Sequence, residues 1–178
     1  MSEIATPSQT VGPFFHIGLT RISRNDLTRG IANAKTIQID GQVLDGDGKP
    51  VIDALIEIWQ ADGDGNYRSG FNGYGRVATN DRGAFSFKTI KPGRVPGVDG
   101  QLQAPHIAVN VFMRGLLKHL MTRIYFPEEP SNDEDAILQR VTATRRKTLI
   151  ARTTMGKRDT LTWNIILQGE HETVFFDC

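Results

Sequence analysis

The chain has 178 residues, enough to bury a single core without cross-links. Its 21 Lys and Arg nearly cancel its 20 Asp and Glu, and a net charge of +1 supplies no field to favour nucleic acid or an anionic membrane. A lone cysteine (Cys178) excludes an intrachain disulfide, no apolar run approaches the roughly 20 residues of a membrane span, and the first residues lack a secretory pattern, so a cytoplasmic protein is expected.

Residues 1–16 are rich in Pro, Ser, Thr and Gly and end in Gly12-Pro13-Phe14-Phe15-His16. This composition argues against a regular helix and for an extended arm, anchored by its two aromatics, on its own body or on another chain. Residues 18–35 are mixed and give no clear element. From Thr36 to Leu44 apolar and polar residues alternate with period two, the pattern of a half-buried strand. Asp45–Pro50 is dense in turn formers, and Ala54–Gln60 reads as the next strand. Further strands are predicted over Gly75–Thr79, Ala84–Thr89, Ala104–Phe112, Thr122–Phe126, Lys147–Arg152, Leu161–Gln168 and Glu172–Phe176. Ser131–Arg140 is the one helical stretch, with a capping Ser or Asn and acids in its first turn. Many short strands, regular turns and one small helix predict an all-β, antiparallel sandwich over residues 36–178, preceded by an arm and connecting segment over 1–35.

Several segments invite a chemical reading. Asp62-Gly63-Asp64-Gly65-Asn66 has alternating oxygen ligands like a calcium loop, but Tyr67 and Gly73 fall where that motif needs its glycine and its bidentate glutamate, so a turn is expected. Arg145-Arg146-Lys147 is a short basic cluster, read as a solvated or ion-pairing surface. Four histidines (16, 106, 119 and 171) are too scattered to propose a metal site alone. His106 opens an apolar strand, where a His-x-His pair would present two ligands on one face, yet the second place is Ala108. A single histidine at a strand start is commonly structural. A buried, unreactive place is expected for Cys178.

Six strings recur in order: Thr6-Pro7-Ser8-Gln9-Thr10-x-Gly12-Pro13, Gly41-Gln42-Val43, Glu57-Ile58-Trp59-Gln60-Ala61-Asp62, Thr89-Ile90-Lys91-Pro92-Gly93, Ala104-Pro105-His106-Ile107 and Gln168-Gly169-Glu170-x-Glu172-Thr173-Val174-Phe175-Phe176-Asp177. Together, from about residue 5 to the C-terminus, they resemble the α subunits of protocatechuate 3,4-dioxygenases, which are intradiol ring-cleavage enzymes. The resemblance implies a prealbumin-like sandwich that pairs with a homologous β subunit in a larger oligomer. It also implies that protocatechuate and O₂ react at an Fe(III) held in β by two tyrosinates, two histidines and a hydroxide. The product is 3-carboxy-cis,cis-muconate.

Carried onto this chain, the resemblance leaves half a ligand set. Tyr67 matches the first tyrosine and His106 the first histidine, while Val95 and Ala108 stand at the other two ligand positions, and Gln103 replaces an arginine that assists catalysis in β. Valine and alanine donate no electron pair, so the chain is expected to bind no iron and to hold no catalytic residue of its own. The resemblance moves the functional weight to the arm, where Thr10, Gly12 and Pro13 match residues that wall the β-subunit pocket. Phe14 departs from the tyrosine common there, which removes a hydroxyl. Arg114 matches a family arginine near the same interface, and a surface ion pair would account for it equally. Two alternatives stand beside this reading: a non-catalytic prealbumin-like binding module, and a self-sufficient homo-oligomeric intradiol enzyme.

Overall fold

A computed structural model describes residues 5–31, 35–98 and 100–177, with Pro13 and His16 described by their backbone alone. Cys178, for which a buried terminus was expected, lies outside the described residues.

Alternation along Thr36–Leu44 becomes strand β1, whose Ile37, Ile39 and Val43 point into the core. β2 (Leu55–Trp59), β3 (Tyr74–Ala78), β4 (Ala84–Ile90), β5 (Val95–Pro96), β6 (Leu102–Gln103), β7 (His106–Phe112) and β8 (Leu120–Tyr125) follow in chain order. β9 (Arg152–Thr153), β10 (Thr160–Thr162) and β11 (Ile165–Ile166) complete the set. One sheet runs β3-β2-β7-β8, all antiparallel. The other is built on β1, with β4 antiparallel on one side and β10 and β11 parallel on the other. The two inner faces meet in a single core that includes Ile39, Ile58, Phe87, Val109, Ile124 and Trp163. Each buried aliphatic side chain contributes about 1.5–3 kcal/mol to holding the layers together.

The structure departs from the predicted elements where side chains intervene. A helix, α1 (Pro13–Thr20), begins inside the segment predicted to be non-helical. Its first position is the one place where proline removes no intrahelical hydrogen bond. The single predicted helix over 131–140 is a 3₁₀ turn (Pro130–Asp133) followed by α2 (Ala136–Gln139). Asp135 breaks it, because its carboxylate accepts from Ile137 N and Leu138 N and caps a new start. A further turn, α3 (Ala143–Arg146), takes the beginning of the region preceding the predicted strand at Lys147, leaving only Arg152 of that stretch in a ladder.

The predicted Leu161–Gln168 strand is split into β10 and β11 at Trp163-Asn164. There Trp163 N donates to Asp40 O and Asn164 Oδ1 accepts from Gln42 N, so a side chain completes the ladder. Gly41 makes this approach possible, since a Cβ there would lie 2.0 Å from Trp163 O. Glu172–Phe176 forms no ladder and touches the sheet through a bridge from Phe176 to Met121. The 62–66 segment is a turn closed on itself: Asp62 Oδ1 accepts from Asp64 N (3.0 Å) and Asn66 N (2.8 Å). Arg145 pairs with Glu172, and Arg146 donates to the carbonyls of Val141 and Gln139, so two of the three basic residues serve the chain's own fold.

Candidate functional site

The inward residues of β7 are Ile107, Val109 and Val111, which leaves His106, Ala108, Asn110 and Phe112 on the outer face of the four-stranded sheet. Register then decides their neighbours. Ala108 lies opposite Trp59 on β2 and opposite Arg123 on β8, and His106 lies opposite Tyr125. A row Trp59–Ala108–Arg123 therefore crosses the outer face, with His106 and Tyr125 beside it.

The two remaining positions of the resemblance, Tyr67 and Val95, come in from loops. The Asp62–Asn66 turn clasps the Pro92-Gly93-Arg94 stretch: Gly93 N donates to Asp62 O (2.8 Å), and a Cβ on Gly93 would lie 2.6 Å from Gly63 O. Tyr67, leaving that turn, stacks on Trp59 with centroids 5.8 Å apart and planes 9° from parallel. Val95 follows the clasp and pairs with Gln103 in the small β5–β6 hairpin, a hairpin that the proline in its first strand concealed in the sequence. Tyr67, Val95, Gln103, His106 and Ala108, spread over more than forty residues, are thus brought to one end of the sheet. These are the five positions that the sequence resemblance singled out.

His106 is held in one orientation. It is 5% exposed, and its Nδ1 lies 2.8 Å from Ala104 O, which can only accept, so Nδ1 carries the proton and Nε2 presents its lone pair. Burial, reinforced by the Arg123 charge, lowers its pKa from 6.5 to about 4. Burial likewise pushes up the Tyr67 phenol, partly opposed by Arg123. Below these residues lies a polar network absent from the sequence reading. Asp135, fully buried, accepts from Ala104 N (2.8 Å), Ile137 N, Leu138 N and the Tyr125 hydroxyl (3.1 Å). Arg123 Nη1 donates to Gln103 Oε1 at 2.7 Å, and Gln103 Nε2 donates to Pro96 O. The signal that could have exposed Arg123 is a charge directly before the apolar run Ile124-Tyr125-Phe126, on the face that β8 shares with His106.

The donor set does not fit a ferric ion. Val95 is 3% exposed and apolar, Ala108 ends at its methyl, and the partner opposite Ala108 is a guanidinium. Among the described residues no group of three or more His, Cys, Asp or Glu is arranged to hold a metal.

The arm residues gather elsewhere. Thr10 Oγ1 accepts from Gly115 N at 2.8 Å, which places it beside Arg114 across 105 residues of sequence, while Arg114 forms an ion pair with Asp53. Gly12 is extended (φ −84°, ψ 174°) and caps α1, whose Phe15 packs on Phe112 with ring centroids 5.5 Å apart. Phe14 (82% exposed) and Ile17 (63%) project three residues apart on the outer side of the helix. His119 stacks on Phe112. The arm therefore meets the C-terminal end of β7, about 20 Å along the strand from His106. No helix among the described residues is long and apolar enough to cross a membrane.

A dioxygenase family model matches residues 11–169. The protocatechuate 3,4-dioxygenase alpha chain of Pseudomonas putida is 41% identical, with 97% of this chain and 96% of that one aligned. The protocatechuate 3,4-dioxygenase beta chain of Burkholderia cepacia is 32% identical over 93% of this chain and 77% of that one. Among solved structures, the dioxygenase domain of a dioxygenase and carbohydrate-binding protein fusion from Streptomyces sp. SirexAA-E superposes with a TM-score of 0.67 at 28% identity, covering 85% of this chain and 89% of that one. With a sandwich of this topology and these relatives, the chain belongs to the intradiol ring-cleavage dioxygenase family.

Proposed function

We propose that this chain is the α subunit of a protocatechuate 3,4-dioxygenase, pairing with a homologous β subunit that holds the Fe(III). One observation carries the reading. A chain that aligns end to end with α chains has Val95 and Ala108 at two of its four ligand positions, leaving Tyr67 and His106 as an incomplete donor pair. Fe(III) in the β subunit supplies the centre at which protocatechuate and O₂ are brought to reaction, with ring opening between the hydroxyl-bearing carbons.

This chain's own contribution is steric and positional. Thr10, Gly12, Pro13 and Phe14 form part of the wall around the partner's substrate. Gly12 permits close approach, and Pro13 fixes the backbone at the start of α1. Holding a flat aromatic ring in one orientation and excluding water from it are worth several kcal/mol of barrier in reactions of this kind. Arg114 steadies the same edge through Asp53 while its neighbour Gly115 holds Thr10. The position of the arm supports the reading, because it lies too far along β7 to close over the chain's own ligand positions. The same reading divides the chain into an arm and connecting segment (1–35) and a sandwich body (36–178), with Leu27 buried as the fastening between them.

The test is metal content with and without the partner. Expressed alone, the chain is expected to hold no stoichiometric iron and to lack tyrosinate-to-iron charge-transfer colour. Co-expression with a homologous chain bearing Tyr, Tyr and His-x-His is expected to give a coloured complex that cleaves protocatechuate. Stoichiometric iron and turnover in the lone chain would instead support the self-sufficient enzyme, and a colourless, inactive pair would support the binding module.

A further inference from the structure

We propose that Arg123 stands in for the metal in this chain, turning the former ligand site into one that excludes cations. The inference rests on the subunit reading and goes beyond the missing donors, because it assigns the vacated space to a particular side chain.

Three observations converge on it. Arg123 is directly opposite Ala108 in the β7–β8 register, so the two Cβ atoms are about 5 Å apart on the outer face. A guanidinium there covers the place that a histidine at 108 would use. Next, the side chain is held by neutral acceptors: Gln103 Oε1 accepts its Nη1 at 2.7 Å, and Gln103 is itself anchored to Pro96 O. Gln103 is the residue paired with Val95, so the side chains at two altered positions, 103 and 108, both meet Arg123. Finally, none of the ion pairs among the described residues includes Arg123, and the carboxylate of the same cluster, Asp135, is taken up by Ala104 N, Ile137 N, Leu138 N and the Tyr125 hydroxyl. Its positive field reaches Tyr67, His106 and Tyr125 alike, which places the charge among the surviving donors.

The physical consequence is asymmetric. A half-buried guanidinium is permanently charged and weakly hydrated, which suits it to such a place. A ferric ion brought to Tyr67 and His106 would meet this charge at contact distance, with one phenolate instead of two to offset it. Restoring ligands while Arg123 remains is therefore not enough to restore a metal.

The experiment uses the full chain with Ala108→His, which returns a third donor on the His106 face and leaves the buried Val95 untouched. Three versions are compared: Arg123 retained, Arg123→Lys and Arg123→Gln, with Arg123→Met as the neutral comparator should the Gln version not fold. Each is incubated with iron(II) sulfate in air, desalted, and assayed for iron per chain and for a tyrosinate-to-iron band. The Arg and Lys versions are expected to stay colourless, and the neutral version to retain at least about tenfold more iron, the least that a unit charge at contact distance produces against a trivalent ion. Equal iron in all versions would overturn the proposal, as would a Lys version that binds like the neutral one, since bulk and not charge would then be the barrier. Iron in the unaltered chain would sink the subunit reading separately, while the Arg-to-neutral comparison would still report on Arg123.

Discussion

The two ends of β7 have been built for opposite ends. At the His106 end, buried polar groups are answered largely from within, Asn132 Oδ1 being left over: Asp135 collects four donors, His106 leans on Ala104 O, and Arg123 is clamped by Gln103. At the Phe112 end, Thr10 is tied to Gly115 by one exposed hydrogen bond, and Phe14, Ile17 and Leu117 show most of their surface to solvent. The end that resembles an active site is thus the self-contained one, and the end with no chemistry is left incomplete. A chain that works through a partner has this arrangement, because apolar surface left uncovered is a feature that association corrects.

The comparison breaks most sharply at Asp135. Replacing it with Ala leaves Ala104 N, Ile137 N, Leu138 N and the Tyr125 hydroxyl without their acceptor in a dry region, and removes the anchor beneath His106. A loss of about 3–5 kcal/mol in urea unfolding is expected, since buried donors are left unpaired. A loss below about 1 kcal/mol would mean that the ligand end is not the rigid end.

His106 sharpens the same contrast through pH. Its pKa falls from 6.5 to about 4 on folding, so above pH 6.5 it contributes no pH dependence. As pH falls from 6.5 towards 4, the unfolded chain takes up the proton first and the folded state loses ground. Below about 4 both states hold the proton and the loss stops. The interval corresponds to about 3 kcal/mol at most. His106→Gln is expected to flatten this limb in unfolding curves recorded at pH 7, 5.5 and 4.5, and an unchanged limb would place the titrating group elsewhere.

How much of this was legible beforehand differs between the two ends for physical reasons. The sandwich was readable because period two is written into single strands such as Thr36–Leu44, and Tyr67, Val95, His106 and Ala108 could be placed from local strings. What was not legible is set by pairing between strands. Arg123 acquires its meaning only from lying opposite Ala108, and Asp135 only from the distant backbone N–H of Ala104. The parallel pairing of β10 and β11 with β1, and the break between them, likewise depend on Asn164 reaching Gln42 across 122 residues. At the arm, composition suggested an extended chain, and proline's tolerance at the first helical position allowed α1 instead.

The arm end is tested in the assembled enzyme. Pro13→Trp changes a residue proposed to wall the partner's pocket and touches no donor of the iron. Turnover of the αβ complex is expected to fall by about tenfold or more through misplaced substrate, with iron content per pair unchanged. Unchanged turnover would remove the arm from the pocket. Iron lost along with activity would move its role to assembly.

The smallest effect is expected at Thr10. Thr10→Val removes the acceptor for Gly115 N, but that donor is exposed and turns to water, so the lone chain should unfold within about 0.5 kcal/mol of the parent. If the proposed complex covers this edge, water is displaced from it, and the unanswered N–H there should cost more, about 1 kcal/mol in pair affinity measured by dilution. The difference between the two figures is what distinguishes an end finished by folding from one finished by a partner. If Thr10→Val destabilised the lone chain as much as Asp135→Ala, the two ends of β7 would be alike, and the arm would be an ordinary part of the sandwich.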